Sequence, residues 1–333
     1  MCNNPRVICI GANLESLRVL KEFYLHDLEV LSIVTLPEQK FQKGSDYQDL
    51  RPFAKSQNIN VITTNDINSK KTKTSIRALK PDYIFVLGWS QILDQELLEI
   101  PSAGVIGSHP SDLPYGAGRA PVPWSILEGL SKSAVTFFQM VSDVDAGKIY
   151  LKKSFSIPGE ADSKILYNLV SENLAAGFVE IYQKILVKEL KGVEQNMKSR
   201  FVRARRIYED GFLDFNKSCV EIKRLIRATT SPYPGGFTFF SEGVLTVWEC
   251  EEKLVKSHKG AIGQILKKTD QSLLVQCSDG ALWLKDFELN GKSFSAKEFQ
   301  LGDRLGFNPS IEVFEIKKRL TILEKKVGKS GFN

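Results

Sequence analysis

Short apolar segments alternate with amphipathic segments over the first 150 residues. Between the apolar segments, stretches such as LESLRVLKEFYL at 14–25 repeat their apolar residues at helical spacing. Strands that alternate with helices in this way predict an α/β fold of Rossmann-like layout, in which helices cover a parallel sheet. The strand-like segments are rich in β-branched residues and lie at 6–12, 30–36, 60–64, 82–88, 104–107 and 134–140.

The pattern changes after about residue 211. One helical segment at 219–230 is followed by five short strand-like segments, separated by turn residues, between 235 and 289. Five short strands of this kind predict a small OB-like β-barrel. We therefore expect an α/β domain over 1–200, an OB-like β domain over 201–310 and a basic, amphipathic helical tail over 311–333.

In the tail, Ile316, Leu320, Leu323 and Val327 recur at helical spacing, with six basic residues between and around them. We expect such a helix to pack on the body of the protein or on a second subunit, which would make the protein a homodimer. A nucleic-acid-binding arm is the less favoured interpretation.

The composition indicates a reduced, cytoplasmic protein. The five cysteines form no C-x-x-C pair, which argues against a disulfide framework and against a structural zinc site, so we expect no metal. No segment approaches the roughly 18 apolar residues that a membrane helix needs, so we expect no membrane contact. The net charge of +6 is mild and lacks a dense basic block before the tail, which favours an ordinary solvated surface.

Two common nucleotide-binding sequences are absent. The first βα turn, GANLES at 11–16, lacks the second and third glycines that let a backbone approach a pyrophosphate. The chain also has no G-x-x-x-x-G-K-S/T phosphate loop. A dinucleotide cofactor and ATP use through a phosphate loop are therefore disfavoured.

His109 is the first candidate for chemistry. It ends a predicted parallel strand in GVIGSHPSDLPYGAGRAPVPWSILEG at 104–129, and open α/β sheets bind ligands beyond the carboxyl ends of their strands. The other two histidines, His26 and His258, lie in polar surroundings and are interpreted as surface residues. A lone histidine in a loop rich in Gly and Pro can equally be structural.

Asp145 follows about 35 residues later, in VSDVDAGKIYLKKSF at 141–155. Ala146 and Gly147 then predict a turn at which the backbone can approach a ligand closely. A carboxylate beside an imidazole can orient the ring and stabilise the charge it receives during acyl transfer. Taken alone, D-x-G is also what an ordinary turn or helix cap contains.

Together these segments resemble the folate-dependent formyltransferases, which include the methionyl-tRNA and glycinamide ribonucleotide formyltransferases and the sugar-nucleotide N-formyltransferases. The resemblance is carried by H-P-S…L-P…G…A-P…W…I…G, followed by V-T…Q-M…D-A-G-x-I. The segments at 208–215, 226–228 and 232–240 resemble the C-terminal domain of the methionyl-tRNA and amino-sugar branches. The similarity thus extends to about residue 307, and we expect the sugar-nucleotide branch to be the more similar one.

The resemblance implies an N-formyltransferase that uses 10-formyltetrahydrofolate as the formyl donor. His109 would be the catalytic imidazole and Asp145 its acidic partner. Ordinary strand ends packed in the core are the alternative interpretation of the segments that would bind the pterin. The implied cofactor-binding residues are Leu87, Gly88, Trp89, Gln91, Ile92, Leu93, Val141, Asp143 and Val144.

The sequence departs from the family at one position. The family usually carries Asn two residues before the histidine, as a donor to the oxyanion that forms during transfer, and this chain has Gly107 there. Loss of one such donor typically lowers the rate about 100- to 1000-fold, so another group must compensate in an active enzyme. We name Ser108 as the third catalytic candidate for this reason. A non-catalytic folate- or nucleotide-binding protein on a degenerate scaffold is the alternative.

For the acceptor we favour the amine of a nucleotide-linked amino sugar, as in the synthesis of bacterial surface polysaccharides such as lipopolysaccharide. Arg119 could contact a phosphate of this substrate and Trp124 could stack on a ring, although Trp124 can equally belong to the core. Methionyl-tRNA is the alternative acceptor. It is disfavoured because the segment at 36–50 offsets its lysines with acidic residues and has no arginine before Arg51.

Overall fold

The structure, a computed structural model, describes residues 4–38, 47–241, 243–251, 255–306 and 309–330. The chain divides into two units, Met1–Ile207 with Ser231–Tyr233, and Tyr208–Thr230 with Pro234–Asn333. The strands of the first unit are β1 (Val7–Ile10), β2 (Ser32–Thr35), β3 (Asn60–Thr63), β4 (Tyr83–Val86), β5 (Gly104–His109), β6 (Tyr115–Gly118), β7 (Lys132–Gln139), β8 (Ile149–Ser156) and β9 (Phe201–Arg203). Its helices are α1 (Leu14–Leu25), α2 (Arg51–Ser56), α3 (Lys70–Ala78), α4 (Gln95–Leu98), α5 (Pro121–Leu127) and α6 (Ser163–Leu186).

Seven of these strands form one sheet in the order β3-β2-β1-β4-β5-β7-β8. The first five run parallel, which confirms the predicted α/β layout, whereas β7 and β8 are antiparallel to their neighbours. The chain re-enters the sheet beside the end of β5, where Thr136 pairs with His109, so β7 has to run back along β5. The central strands β1 and β4 are almost wholly buried and apolar because helices cover both faces.

An aromatic cluster packs α1 and α6 against one face of this sheet. Phe85 of β4 lies 5.4 Å from Phe178 and 6.0 Å from Phe23, measured between ring centroids. Gly177 of α6 allows the helix to approach the sheet, since a Cβ there would lie 2.1 Å from the Phe137 ring. This packed core lies behind the strand ends that carry the candidate residues.

The second unit contains an antiparallel β domain in which the helix α7 (Cys219–Thr229) precedes the strands, as predicted. Ser218 caps α7 and shares a reciprocal capping box with Glu221, and Ile222 and Ile226 of the helix enter the core of the sheet. The sheet order is β10-β11-β14-β13-β12, and β15 pairs with β14 as a strand beyond the five predicted. The strands are β10 (Gly236–Phe240), β11 (Gly243–Cys250), β12 (Ile265–Lys268), β13 (Ser272–Gln276), β14 (Ala281–Leu289) and β15 (Lys292–Phe294).

The last element is α8 (Pro309–Ser330), over the segment with helical periodicity. The predicted apolar positions Ile316, Leu320 and Leu323 lie in it, while the side chain of Val327 is outside the described part of the chain. Among the described residues, none of the helices combines the length and apolar character that crossing a membrane requires.

Candidate active site

His109 lies at the carboxyl end of β5, between β4 and β7, and is 7% exposed. The turn that follows is fixed by Thr136, whose hydroxyl donates to the Ser111 carbonyl at 2.6 Å and accepts from the Leu113 N–H at 3.3 Å. The strand and this turn therefore define where the imidazole leaves the sheet.

Both ring nitrogens of His109 face acceptors. Nε2 lies 3.0 Å from the carbonyl oxygen of Gly116. A carbonyl can only accept, so Nε2 carries the hydrogen and donates it. Nδ1 lies 3.9 Å from Oδ2 of Asp145, and the two side chains are only 8% and 11% exposed. The structure thus brings together the histidine and the carboxylate that the sequence singled out.

Asp145 is held in a tight turn. Its backbone is left-handed, with φ of +58°, and its Oδ2 accepts the backbone N–H of Gly118 at 2.9 Å. Gln195 donates its side-chain amide to the carbonyls of Asp145 and Gly147, both at 2.8 Å. Gly147 is required for close packing within the chain itself, because a Cβ there would lie 1.8 Å from the carbonyl oxygen of Gln139.

The short strand β6, residues 115–118, connects the two candidate catalytic residues, and we call it the bridging strand. Its Gly116 carbonyl accepts from His109 and its Gly118 N–H donates to Asp145. The bridging strand pairs with β9, and Gly118 fits only as glycine because its φ is +102° and a Cβ would lie 2.4 Å from the Arg203 carbonyl oxygen. The main chain of β9 therefore holds the backbone that orients the site.

Arg203 of β9 is buried and ion-paired. Its side chain is 2% exposed, and its Nε and Nη2 donate to the two oxygens of Glu128 at 2.9 and 2.7 Å. Glu128 also lies 3.3 Å from the Tyr115 hydroxyl, and the Arg203 guanidinium lies 5.4 Å from the centre of the Tyr115 ring. The run of basic residues at 201–206 is typical of a linker or a crossing strand, and the structure has the strand β9 there. The ion pair itself could not be found from the sequence, because the partner of Arg203 is 75 residues away.

The two predicted acceptor residues follow the bridging strand in the chain. Arg119 directly follows it and is exposed, and its backbone N–H donates to the Arg203 carbonyl at 3.1 Å. Trp124 is half-buried, its indole N–H donates to the Ala204 carbonyl at 3.0 Å, and the Arg206 guanidinium lies 5.2 Å from its ring. The indole nitrogen is therefore occupied within the protein, and the binding roles of both residues stay predictions.

The predicted pterin segments follow β4 and β7, the two neighbours of β5. Ile92, Val141 and Val144 are 65%, 39% and 47% exposed, so three apolar side chains face outward in these segments. The indole N–H of Trp89 is buried and has no hydrogen-bond partner among the described residues. Outward apolar groups and an unused donor suit an aromatic ring system with polar edges, so these segments fit a pterin.

The other residues of these segments have structural contacts. Leu87 and Leu93 are buried in the core, and Gly88 has a φ of +71°. The Gln91 side chain accepts from the Ile67 N–H and donates to the Asn65 carbonyl, both at 3.0 Å. Asp143 pairs with Arg200 at 3.2 Å, and Arg200 also donates to the Val144 carbonyl at 2.7 Å.

Gly107 and Ser108 lie within β5. A Cβ on Gly107 would lie 2.8 Å from Cγ and Sδ of Met140, so the thioether side chain covers this position. Adjacent residues of a strand project from opposite faces, so the Ser108 hydroxyl and the His109 ring leave β5 on opposite sides. The oxyanion role of Ser108 stays a prediction. The described residues contain no group of three or more His, Cys, Asp or Glu that could hold a metal ion.

Two family models match the chain. The model of the formyl transferase family matches residues 8–181, and that of the formyl transferase C-terminal domain matches residues 206–304. The chain belongs to the formyl transferase family. Members of this family are folate-dependent N-formyltransferases.

The formyl transferases most similar in sequence include two bacterial methionyl-tRNA formyltransferases. That of Geobacter metallireducens is 30% identical over 83% of this chain and 89% of its own length. That of Geobacter sulfurreducens is 28% identical over 90% of this chain and 94% of its own length. The match extends across both units in each case.

Three solved structures share the fold. An N-formyltransferase from Helicobacter canadensis, in complex with folinic acid and dTDP-3-aminofucose, matches with a TM-score of 0.66 at 18% identity, over 87% of this chain and all of its own (100%). The sugar 3N-formyl transferase WlaRD matches with a TM-score of 0.64 at 17% identity, over 89% and 100% of the two chains. HypX from Aquifex aeolicus, in complex with tetrahydrofolic acid, has a TM-score of 0.64 at 16% identity, and this chain spans 51% of its length.

Proposed function

We propose that the protein transfers a formyl group from 10-formyltetrahydrofolate to the amine of a nucleotide-linked amino sugar, for a bacterial surface polysaccharide. The observation that carries the proposal is the His109–Asp145 pair, with 3.9 Å between Nδ1 and Oδ2, held by two backbone groups of the bridging strand. The donor supplies an activated formyl carbon to which the amine nitrogen bonds.

Nδ1 of His109 is the atom to which we assign proton transfer. Nε2 already donates its hydrogen to the Gly116 carbonyl, which leaves Nδ1 to take the proton that the attacking amine loses. The Asp145 carboxylate stabilises the positive charge that the ring then carries, because both side chains are almost excluded from water. The same ring returns the proton to the leaving nitrogen, and its charge also stabilises the oxyanion. Asp145 acts throughout as a charged, orienting partner.

The donor would bind between the segments that follow β4 and β7. Ile92, Val141 and Val144 would contact the faces of the pterin, and the Trp89 N–H would meet one of its polar edges. These segments flank the strand that ends in His109, so a pterin held there presents its formyl group toward the imidazole.

The acceptor assignment is supported by the charge beside the site. Arg119 is exposed, directly follows the bridging strand, and forms no ion pair with any of the described residues. A free guanidinium suits the phosphates of a nucleotide. By contrast, Arg51, which follows the segment that would grip RNA, lies 2.8 Å from Asp49 and 3.2 Å from Glu38 and is already neutralised. Lys40 and Lys43 of that segment lie outside the described residues.

Methionyl-tRNA is the second candidate acceptor. The observation that favours it is the identity of 28% and 30% to methionyl-tRNA formyltransferases, across both units of the chain. The two candidates share the catalytic pair and differ only in what carries the amine.

The test is transfer to a panel of acceptors. Purified protein is incubated with 10-formyltetrahydrofolate and, separately, with amino sugars linked to dTDP, UDP or GDP and with methionyl-tRNA, and each product is weighed by mass spectrometry. We expect one sugar nucleotide to gain a single formyl group, and to gain none when the donor is omitted. Formylation of methionyl-tRNA alone would move the proposal to the second candidate. Folate binding without any transfer would indicate a degenerate scaffold and overturn both.

A further inference from the structure

Helix α8 exposes an apolar surface that nothing in the active site uses. Every described side chain from Glu312 to Lys325 is exposed except that of Glu315, which is half-buried. Val313, Ile316, Leu320 and Leu323 are 48%, 59%, 52% and 56% exposed, and we call these four residues the apolar seam. Helices in proteins gain most of their stability from packing of an apolar face, so a surface that buries the seam would stabilise α8.

The spacing of the seam is that of a coiled coil. Its residues are separated by three, four and three positions, which places Val313 and Leu320 at heptad positions a and Ile316 and Leu323 at positions d. Positions g and e, on either side, are all charged: Glu312 and Arg319 at g, Lys317 and Glu324 at e. A narrow apolar stripe flanked by charges is the pattern that pairs two helices.

We propose that α8 pairs with α8 of a second copy of this chain as a parallel, two-stranded coiled coil. The charges select this partner. In a parallel pair, each g residue meets the e residue of the next heptad on the other helix. Glu312 then meets Lys317 of the partner subunit, and Arg319 meets Glu324 of the partner subunit. Both contacts join opposite charges, and each occurs twice by symmetry.

The antiparallel alternative is disfavoured by the same residues. If two antiparallel helices pair all four of their seam residues, the twofold axis between them passes beside residue 318, the midpoint of the seam. Lys317 would then face Lys317 of the partner subunit, and Arg319 would face Arg319 of the partner subunit. Like charges in those positions destabilise a coiled coil, so the chain favours the parallel pair.

Phe314 provides an internal control. It is 65% exposed and apolar, but it occupies a b position and so points away from the seam. Non-specific hydrophobic association of the helix would bury Phe314 as much as Leu320. A coiled coil buries Leu320 and leaves Phe314 exposed.

Sedimentation equilibrium of the full chain over a range of concentrations tests the proposal. We expect the mass to rise from one chain to two. Leu320→Gln should raise the dissociation constant by about 100-fold or more, because two copies of a largely buried leucine are lost. Phe314→Gln should change it by less than about threefold, since an exposed side chain off the seam contributes little. Thermal unfolding of each variant checks that the rest of the chain is intact. A single-chain mass at every concentration, a mass of three chains or more, or equal effects of the two substitutions would overturn the proposal.

Exchange of the charges at positions 312 and 317 tests whether the two α8 helices run parallel. Lys317→Glu places two glutamates together in the parallel pair and should raise the dissociation constant by about threefold to tenfold. Adding Glu312→Lys to the same chain restores opposite charges, so the double variant should return to within about twofold of the original. In the antiparallel pair Lys317→Glu only replaces one like-charge contact by another. An unchanged dissociation constant for Lys317→Glu would therefore overturn the parallel arrangement.

Discussion

Asp145 accepts a hydrogen bond at 2.9 Å from the backbone N–H of Gly118, which is itself in register with Arg203 of β9. In the same bridging strand, the Gly116 carbonyl accepts a hydrogen bond from Nε2–H of His109. Catalytic groups have to be held within a fraction of an ångström of their working geometry. The geometry of the candidate site therefore depends on a strand that the chain reaches only at residues 201–203.

The Arg203–Glu128 pair gives a stability prediction. Glu128→Gln leaves a guanidinium that is 2% exposed without its counter-charge, and breaking a buried pair in this way costs about 3–5 kcal/mol. Because Glu128 is itself 24% exposed, we expect the lower end, a loss of about 3 kcal/mol in the free energy of unfolding measured with urea.

The matched control is Glu172→Gln, which breaks the Arg18–Glu172 pair at 3.1 Å with side chains 39% and 55% exposed. Exposed pairs contribute little, so this loss should stay below about 1 kcal/mol. Equal losses in the two variants would show that Arg203 does not anchor the bridging strand as described.

The sequence predicted the α/β layout, the antiparallel second unit and the pairing of His109 with Asp145. It did so because strand and helix periodicities are local, and because His109 and Asp145 stand in segments that resemble a known family. The direction of β7 and the anchoring role of Arg203 could not be predicted in this way. Both depend on contacts between distant residues, such as Thr136 with His109 and Arg203 with Glu128, and no local pattern encodes them.

Gly107 gives a second prediction. Gly107→Asn adds a Cβ 2.8 Å from Cγ and Sδ of Met140, so the thioether has to move before the new amide can reach the site. We expect the rate of formyl transfer to fall or to stay within about tenfold of the original. Gly107→Ala is the control, since it introduces the same crowding without a donor. A gain of about 100-fold or more for Gly107→Asn alone would show that the chain has an unfilled oxyanion position.

Ser108→Ala tests the remaining oxyanion candidate. The hydroxyl leaves β5 on the face opposite to His109, so we expect kcat to fall by less than about tenfold. Steady-state rates at saturating donor and acceptor measure this. A fall of about 100-fold, the usual contribution of one oxyanion donor, would assign that contact to the Ser108 hydroxyl.

The acceptor gives a prediction about salt. A protein that binds tRNA contacts many of its phosphates, so its affinity for the tRNA falls steeply as salt rises. A sugar nucleotide has only two phosphates, so its affinity depends only weakly on salt. With Arg51 neutralised by Asp49 and Glu38, we expect the apparent acceptor affinity to change by less than about tenfold between about 50 and 200 mM salt. A loss of about 1000-fold, with saturable formylation of methionyl-tRNA, would favour the second candidate.

The most direct test of the account is the turnover of His109→Ala and Asp145→Ala, measured as tetrahydrofolate release with both substrates saturating. We expect kcat to fall by at least about 100-fold in each variant, with urea unfolding showing an intact fold, because each removes part of the proton-transferring pair. The matched controls, His26→Ala and Asp270→Ala, alter a surface histidine and a carboxylate that is 79% exposed, and should retain full turnover. Near-original turnover in folded His109→Ala or Asp145→Ala would contradict the assignment of this pair.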